Sequence, residues 1–507
     1  MTAPFGCGLV LVLLAVANTC VVETRERPRP PAPAPEVEVT LQARLAAPGR
    51  ETVSFGVPLP PGYLNDTRFV SLRDVGGREI TVSVRPLEPW RIDGKDGSIR
   101  SILVQFTADF SGGRTRRVKV VFGRKRRKDC VRFVPVAATL LDPDGLDGPR
   151  VLAVLPAKWL CDSWIAGPQV PASESGPFAA YDDFVEHSFP GALQYKDSQV
   201  YDHWLFDRTA CWYKMYIRTG DPKYLEAAYH AAHFVRLHTK MDGPNAGIFT
   251  LKGVDLKYVY PRAMHLHYLL TGDERMLEAG RIMARFCLNN WDPKYTTDRR
   301  FWTTRHEGYG LLGVLHGWEL TGDATYWRKA REYTDALYNH QRQPPDGLPP
   351  DCSWRQNWQT YASEEARFRS GTSAWMTAIL LDPLFHYWTL TGDPRVPEMV
   401  SAWCDFLDRR GLVPDGSEAY YVINAIPAPG EPPGRRGHDM FLHNTEMAYM
   451  FAMGIYFSND PERAEAWSRR FDTLFRSALK QDINRTVRAY NWAFQASSQM
   501  VYFLKSR

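Results

Sequence analysis

The sequence predicts a multidomain chain of two architectures, an N-terminal antiparallel β-sandwich or barrel followed by an (α/α)6-type toroid. Three observations carry that reading. The residue pattern alternates polar with apolar before about residue 141 and takes a helical period after about residue 199. The tripeptide Thr-Gly-Asp recurs at Thr219-Gly220-Asp221, Thr271-Gly272-Asp273, Thr321-Gly322-Asp323 and Thr391-Gly392-Asp393, with Ser458-Asn459-Asp460 as a degenerate fifth copy. Each copy follows an apolar, aromatic segment and precedes a more charged one, which makes it the turn of a helical hairpin. The Gly ends one helix in a left-handed conformation and the Asp caps the next, with Pro222, Pro394 and Pro461 at a first helical position. Spacings of 52, 50 and 70 residues suit paired helices stacked in an array.

A chain of 507 residues, 44% hydrophobic and 13% aromatic, buries a large core and is not disordered. Its 62 basic and 57 acidic residues leave a net charge of only +5, and no nucleic-acid motif accompanies it, so no nucleic-acid partner is expected.

Residues 1–22 read as a signal peptide. An apolar run over 8–22 contains Ala15-Val16-Ala17 as a cleavage site, which predicts a secreted or periplasmic protein, with a lipid anchor at Cys20 as the alternative. The run is short for a membrane span, so the mature chain is expected to have none. Residues 23–35 form a Pro-rich tether expected to stay extended and hold the folded part away from a wall or membrane.

Residues 36–141 supply the β domain. Segments such as EVEVTLQARL, EITVSVRP and RRVKVVFG alternate and are bounded by Gly, Pro and Asp turns. The basic runs 114–119 and 124–128 read as a solvated edge that resists strand pairing, or as a surface for an acidic polymer. Residues 142–197, rich in Pro and Gly, are read as a linker wrapping the junction. Asp142, Asp144 and Asp147 in it fit a turn better than a metal site. Six cysteines remain after position 22, in spacings that match no zinc pattern, and read as buried free thiols.

Residues 198–507 form the toroid. Inner helices are expected near 199–218, 258–270, 305–320, 371–390, 441–457 and 488–505, and outer ones near 222–238, 274–288, 324–340, 394–409 and 461–480. Six inner against five outer helices make an incomplete ring. In the segment 302–323, Gly310, Gly313 and Gly317 mark a helix squeezed between close neighbours.

The motifs Phe55-Gly56-Val57-Pro58-Leu59-Pro60-Pro61-Gly62, Trp90 followed by Asp96-Gly97-Ser98-Ile99-Arg100, and the stretch WLCDSWIAGP at 159–168 resemble the exo-rhamnogalacturonan lyase-like (YetA-like) family. The resemblance covers about residues 45–170 by motif and the rest by helical organisation. It implies an exported β domain packed on an (α/α) toroid that degrades an acidic polysaccharide or oligosaccharide.

The residues permit that chemistry on their own terms. Connections from outer to inner helices are long and the reverse ones short, which puts the cleft at the inner helices' N-termini, where the helix dipole favours an anion. Tyr201, Asp202 and His203, Lys252, Tyr258, Arg262 and His265, Arg305, His306 and Tyr309, Trp354, Trp358 and Arg369, His438, His443, Asn444 and Glu446, and Tyr490, Asn491 and Trp492 gather there. Such groups suit sugar rings and carboxylates. A uronic-acid polymer is cut by β-elimination when its carboxylate is neutralised, a base takes the adjacent proton and an acid protonates the leaving oxygen. The assignment is His306 as base, Tyr309 as acid or second base and Arg305 as carboxylate clamp, with Lys252, Tyr258, Arg262, His203, Trp354, His443 and Asn444 binding substrate. No metal or cofactor is required. The alternatives are a glycoside hydrolase using Asp202 and Glu446 as its acids, and a non-catalytic glycan-binding surface.

Overall fold

The computed structural model describes residues 25–31, 34–130, 132–293, 303–356, 370–425, 427, 429–430, 432–437, 440–483 and 487–507. The expected signal peptide therefore lies outside the described residues.

The N-terminal strands are β1 (Glu36–Ala43), β2 (Arg50–Pro58), β3 (Val70–Asp74), β4 (Glu79–Ile80), β5 (Ser83–Ile92), β6 (Lys95–Asp109), β7 (Thr115–Phe122) and β8 (Val151–Val154). They form two antiparallel sheets, in the orders β4-β3-β7-β1-β8 and β2-β6-β5. Alternation decides which face turns inward: Val37, Val39, Leu41 and Ala43 of β1 are buried, and residues of both sheets enter one apolar cluster. On the outer face of β7, Lys119 pairs with Glu36 at 2.6 Å and Arg117 with Glu38 at 3.5 Å, so neighbouring strands neutralise part of the basic ribbon.

The helical part opens with α1 (Ala157–Asp162) and α2 (Ala179–Leu193). Five hairpins follow: α3 (Arg208–Thr219) with α4 (Pro222–Leu237), α5 (Pro261–Thr271) with α6 (Glu274–Asn290), α7 (Thr304–Thr321) with α8 (Ala324–Arg342), α9 (Ala374–Thr391) with α10 (Arg395–Phe406), and α11 (Asn444–Phe457) with α12 (Pro461–Ala478). The chain ends in α13 (Val487–Phe494) and α14 (Met500–Lys505), so the single helix expected over 488–505 is broken. Three short strands, β9 (Gly371–Thr372), β10 (Val422–Asn424) and β11 (Gly434–Arg435), tie the long loops before α9 and α11 into a small sheet.

Each Thr-Gly-Asp turn is built the same way. Gly220, Gly272, Gly322 and Gly392 have φ between 65° and 71°. The Thr hydroxyl accepts from the Asp N–H at 3.1 Å in all four, and the Asp carboxylate accepts from the N–H two residues on at 2.8–3.0 Å. Ser458 and Asp460 repeat the arrangement.

Inner helices pack in sequence, α3 on α5, α5 on α7, α7 on α9, α9 on α11 and α11 on α13, and α13 returns to α3. The sixth outer position is filled by α2, which packs on α13 through Tyr181 and Phe184 against Phe494. Residues 142–197 are thus more than the expected linker, and the circuit expected to be incomplete is closed. The glycines of α7 face three neighbours: a Cβ on Gly308 would sit 2.8 Å from the Ile379 carbonyl of α9, on Gly310 2.2 Å from the Tyr333 hydroxyl of α8, and on Gly313 2.5 Å from Cys287 of α6.

The β sheets cover the C-terminal ends of the inner helices. Gly56 lies so close to α5 that a Cβ there would fall 2.1 Å from the Leu269 carbonyl, which also accepts from Ser101 Oγ at 2.6 Å. Asp93 N–H donates to Leu390 O at 2.9 Å and Trp318 Nε1 to Arg91 O at 3.3 Å. The opposite end, where inner helices begin, is left to the long loops. The described part of the Pro-rich segment does not stand off the body as expected: Arg25 donates to Ser506 O at 2.6 Å, and Arg27 to Asp93 at 3.0 Å and Leu390 O at 3.1 Å. Among the described residues no helix is long and apolar enough to cross a membrane. All six described cysteines are unbridged, and burial pushes the thiols of Cys161 and Cys287 up to about 12. The Asp142 carboxylate accepts the N–H groups of Gly145, Leu146 and Asp147, which accounts for the acidic DPDGLDG stretch as a turn.

Candidate active site

Side chains from the starts of all six inner helices meet in one chain of contacts. In the turn Tyr201–Trp204 before α3, the Asp202 carboxylate accepts from Tyr258 at 3.4 Å and from Arg488 of α13 at 2.6 Å. Lys252 Nζ lies 4.2 Å from the Tyr201 ring centroid and 5.8 Å from that of Tyr258. The Arg488 guanidinium lies 4.4 Å over Trp492, which stacks on His443 at 4.3 Å; His443 in turn stacks on Trp375 of α9 at 5.2 Å. Arg305 of α7 sits 4.9 Å over the other side of this aromatic run, on Trp375.

Backbone strain helps to set this floor. Phe206 and Asp207 both have positive φ, 70° and 51°, a conformation costing roughly 1–3 kcal/mol per non-glycine residue. The pair swings Phe206 to 5.3 Å from Trp492 while Asp207 caps α3 through Ala210 N–H and accepts from Arg262 Nε at 3.2 Å.

Burial and charge tune the ionisable groups. His306 is buried, its Nδ1 2.6 Å from Thr303 Oγ1 and its ring stacked on Trp291 at 4.9 Å. Burial, with Arg305 and Lys257 nearby, holds it well below the ordinary histidine range, so the imidazole is neutral. Burial, then Arg305, pulls Lys257 down to about 8 against the opposing pull of Asp255. Tyr309 is pushed well up by burial and keeps its proton, and among the described residues its hydroxyl has no hydrogen-bond partner, nor do the indole N–H groups of Trp375 and Trp492. Burial also raises the Glu446 carboxyl although His443 Nδ1 contacts it directly.

Several expected binding residues are occupied elsewhere. Arg262 is locked between Asp207 and Asp382, the latter at 2.5 Å, in a buried cluster below the floor. Trp354 is fully buried, donates to Leu337 O at 2.9 Å and packs on Trp403, so it pins a loop to the outer helices and offers no face to a sugar. Asn444 donates to Ser417 O at 3.0 Å and Ser477 Oγ at 2.9 Å, fastening a loop and α12. His203 is half-buried with Nδ1 2.8 Å from Ser198 Oγ and its ring packed on Tyr195 at 4.7 Å. His265 lies at the middle of α5 with Nε2 2.6 Å from the Glu88 carboxylate of β5. Glu307 faces outward to Trp291, which donates to it at 2.9 Å. Trp358, Arg369 and His438 lie outside the described residues.

Three residues of the site were not anticipated: Lys257, Arg488 and Trp375. Lys257 and Arg488 stand within a few positions of predicted inner-helix starts, and that placement was the signal available.

No family model matches the chain, and no curated protein matches it in sequence. Among solved structures it is similar to a polysaccharide lyase (12% identity, TM-score 0.44, covering 65% of this chain and 99% of that one) and to the unsaturated glucuronyl hydrolase of Bacillus sp. GL1 (14%, 0.42, 61% and 86%). It is also similar to a β-1,3-1,4-glucanase of Paenibacillus sp. X4 (10%, 0.43, 64% and 92%). Likeness at this level bears on neither activity nor substrate.

Proposed function

We propose that the closed circuit is an (α/α)6 toroid capped by a β-sandwich, and that the protein is an exported lyase cleaving a uronic-acid polysaccharide by β-elimination. The observation that carries this reading is the start of α7, where buried His306 follows Arg305 and the Tyr309 hydroxyl one turn on has no hydrogen-bond partner among the described residues; burial, Arg305 and Lys257 all favour the neutral imidazole.

The cations pair with the substrate carboxylate and stabilise the charge that builds on it when the proton on the adjacent carbon leaves. His306 accepts that proton. The electron pair of the broken C–H bond forms the C=C bond, the glycosidic C–O bond breaks, and Tyr309 gives its proton to the departing oxygen. The imidazole then returns a proton to the phenolate through solvent. Tyr201, Tyr258 and Trp492 offer ring faces to neighbouring sugars, and Lys252 and Arg488 meet further carboxylates.

A hydrolase is the second reading, favoured by one observation: the raised Glu446 carboxyl is an acid in waiting, and Asp202 stands half-exposed on the same floor. Both carboxylates, however, are already engaged, by His443 and Arg488 respectively.

Mass spectrometry of oligouronate digests separates the two, because the fragment that carries the new non-reducing end is lighter by one water after elimination than after hydrolysis. The lyase reading expects the lighter fragment, retained in Glu446→Gln and lost in Tyr309→Phe. The heavier fragment, lost in Glu446→Gln, would replace it with the hydrolase.

A further inference from the structure

Between the middle of α5 and the C-terminal half of α7, beneath the β sheets, lies a buried cluster that the proposed reaction does not use. His316 and Glu319 stand three residues apart on one face of α7, His265 faces them from α5, and all three are under 5% exposed. His265 Nδ1 is 2.9 Å from His316 Nδ1 and 3.7 Å from Glu319 Oε2, and His316 Nδ1 is 3.1 Å from the same oxygen.

Those separations fit a cation. The circle through three atoms so spaced has a radius of about 1.9 Å, so an ion slightly above their plane meets all three at the roughly 2.0–2.2 Å of zinc–imidazole and zinc–carboxylate bonds.

The surroundings set each donor for the task. His265 Nε2 lies 2.6 Å from the Glu88 carboxylate of β5, which accepts its N–H and leaves the Nδ1 lone pair facing the other two donors. Glu319 Oε1 accepts from Arg100 at 2.6 Å and from His386 at 3.2 Å, whereas Oε2, equally buried, has among the described residues only the two imidazole nitrogens beside it, His316 Nδ1 at 3.1 Å and His265 Nδ1 at 3.7 Å. A carboxylate oxygen at 1% exposure that faces only imidazole nitrogens is best satisfied when something positive sits between them.

We propose that His265, His316 and Glu319 are the protein ligands of a buried divalent transition-metal site, with a fourth position open to the cavity bordered by Arg100, His316 and His386. Two imidazoles and one carboxylate suit Zn2+ and are too few and too nitrogen-rich for Ca2+ or Mg2+. With Glu88 and Arg100 on strands and the ligands on α5 and α7, the ion ties the β sheets to the helices. The competing account is a proton shared between the two Nδ1 atoms, which needs no metal.

The test uses the full chain, stripped with a chelator and titrated with Co2+. One equivalent is expected to give the visible bands of a four-coordinate site, which Zn2+ then removes, and Zn2+ is expected to raise the melting temperature. His316→Ala loses the bands, and Glu88→Gln keeps the stoichiometry but binds about 10–100-fold more weakly. Absence of four-coordinate bands in the wild-type chain overturns the proposal whether or not the variants fold. So does retention of the bands in folded His316→Ala, or their loss instead in His233→Ala, which would place the ion at the separate cluster of His233, His267 and Asp273.

Discussion

Asp382→Asn probes the closed circuit at its axis. The Asp382 carboxylate of α9 takes a 2.5 Å hydrogen bond from Arg262 of α5, lies 3.8 Å from Lys214 Nζ of α3, and is 3.4 Å from Gln495 Nε2 beyond α13. All of these groups are buried. The substitution is isosteric and opens no cavity, so its effect is electrostatic. Lys214 keeps only its 2.6 Å bond to Gln495 O and Arg262 keeps only Asp207. Stranding buried positive charge in this way costs about 3–5 kcal/mol. The deficit also has a pH signature. Burial already pulls Lys214 down to about 8, with Asp382 the main group opposing the shift, so the variant lowers it further. A lysine whose folded value is depressed penalises the folded state while the unfolded lysine is charged. The Lys214 share of the deficit is therefore full below the variant's folded value and vanishes as pH rises through about 8. Urea unfolding followed by tryptophan fluorescence at neutral and alkaline pH measures both. A loss under about 1 kcal/mol, as for an exposed pair, with no pH dependence, would refute a buried axial cluster.

Other outcomes follow from the same contacts. Tyr309→Phe is expected to lower turnover by about 10²–10⁴-fold while leaving urea stability unchanged or slightly raised, because the hydroxyl it removes is buried with no partner among the described residues. Activity should fall as pH rises through about 8, where Lys257 loses its charge, and hold at mildly acid pH, where His306 remains neutral; Lys257→Met should lower activity at pH 7 and abolish the alkaline limb. Gly56→Ala forces a Cβ against the Leu269 carbonyl at 2.1 Å and is expected to cost at least about 1–3 kcal/mol in thermal unfolding; a neutral result would mean that β2 does not press on α5.

The turns were the most legible part of the chain, because Thr-Gly-Asp closes each hairpin with bonds confined to a few residues. The outer helix α2 was not legible: it is preceded by no such turn, carries Pro190 inside it, and meets α13 only across nearly the whole helical sequence. That Arg305, His306 and Tyr309 share the start of one helix could be read from local spacing. Arg262, Trp354 and Asn444 share the residue types of a sugar site, and only their partners, Asp382, Leu337 O and Ser417 O, assign them to the scaffold. The cluster of His265, His316 and Glu319 draws its supporting groups from β5, β6 and α9, and no spacing in the sequence announces such an assembly.

The most direct test of the central claim is near-ultraviolet absorbance during incubation of the chain from residue 36 onward with a panel of uronate polymers. A steady rise is expected on at least one polymer, from the C=C bond conjugated to the carboxylate, and Tyr309→Phe and Arg305→Met should both suppress it. New reducing ends without any rise in absorbance would contradict the central claim.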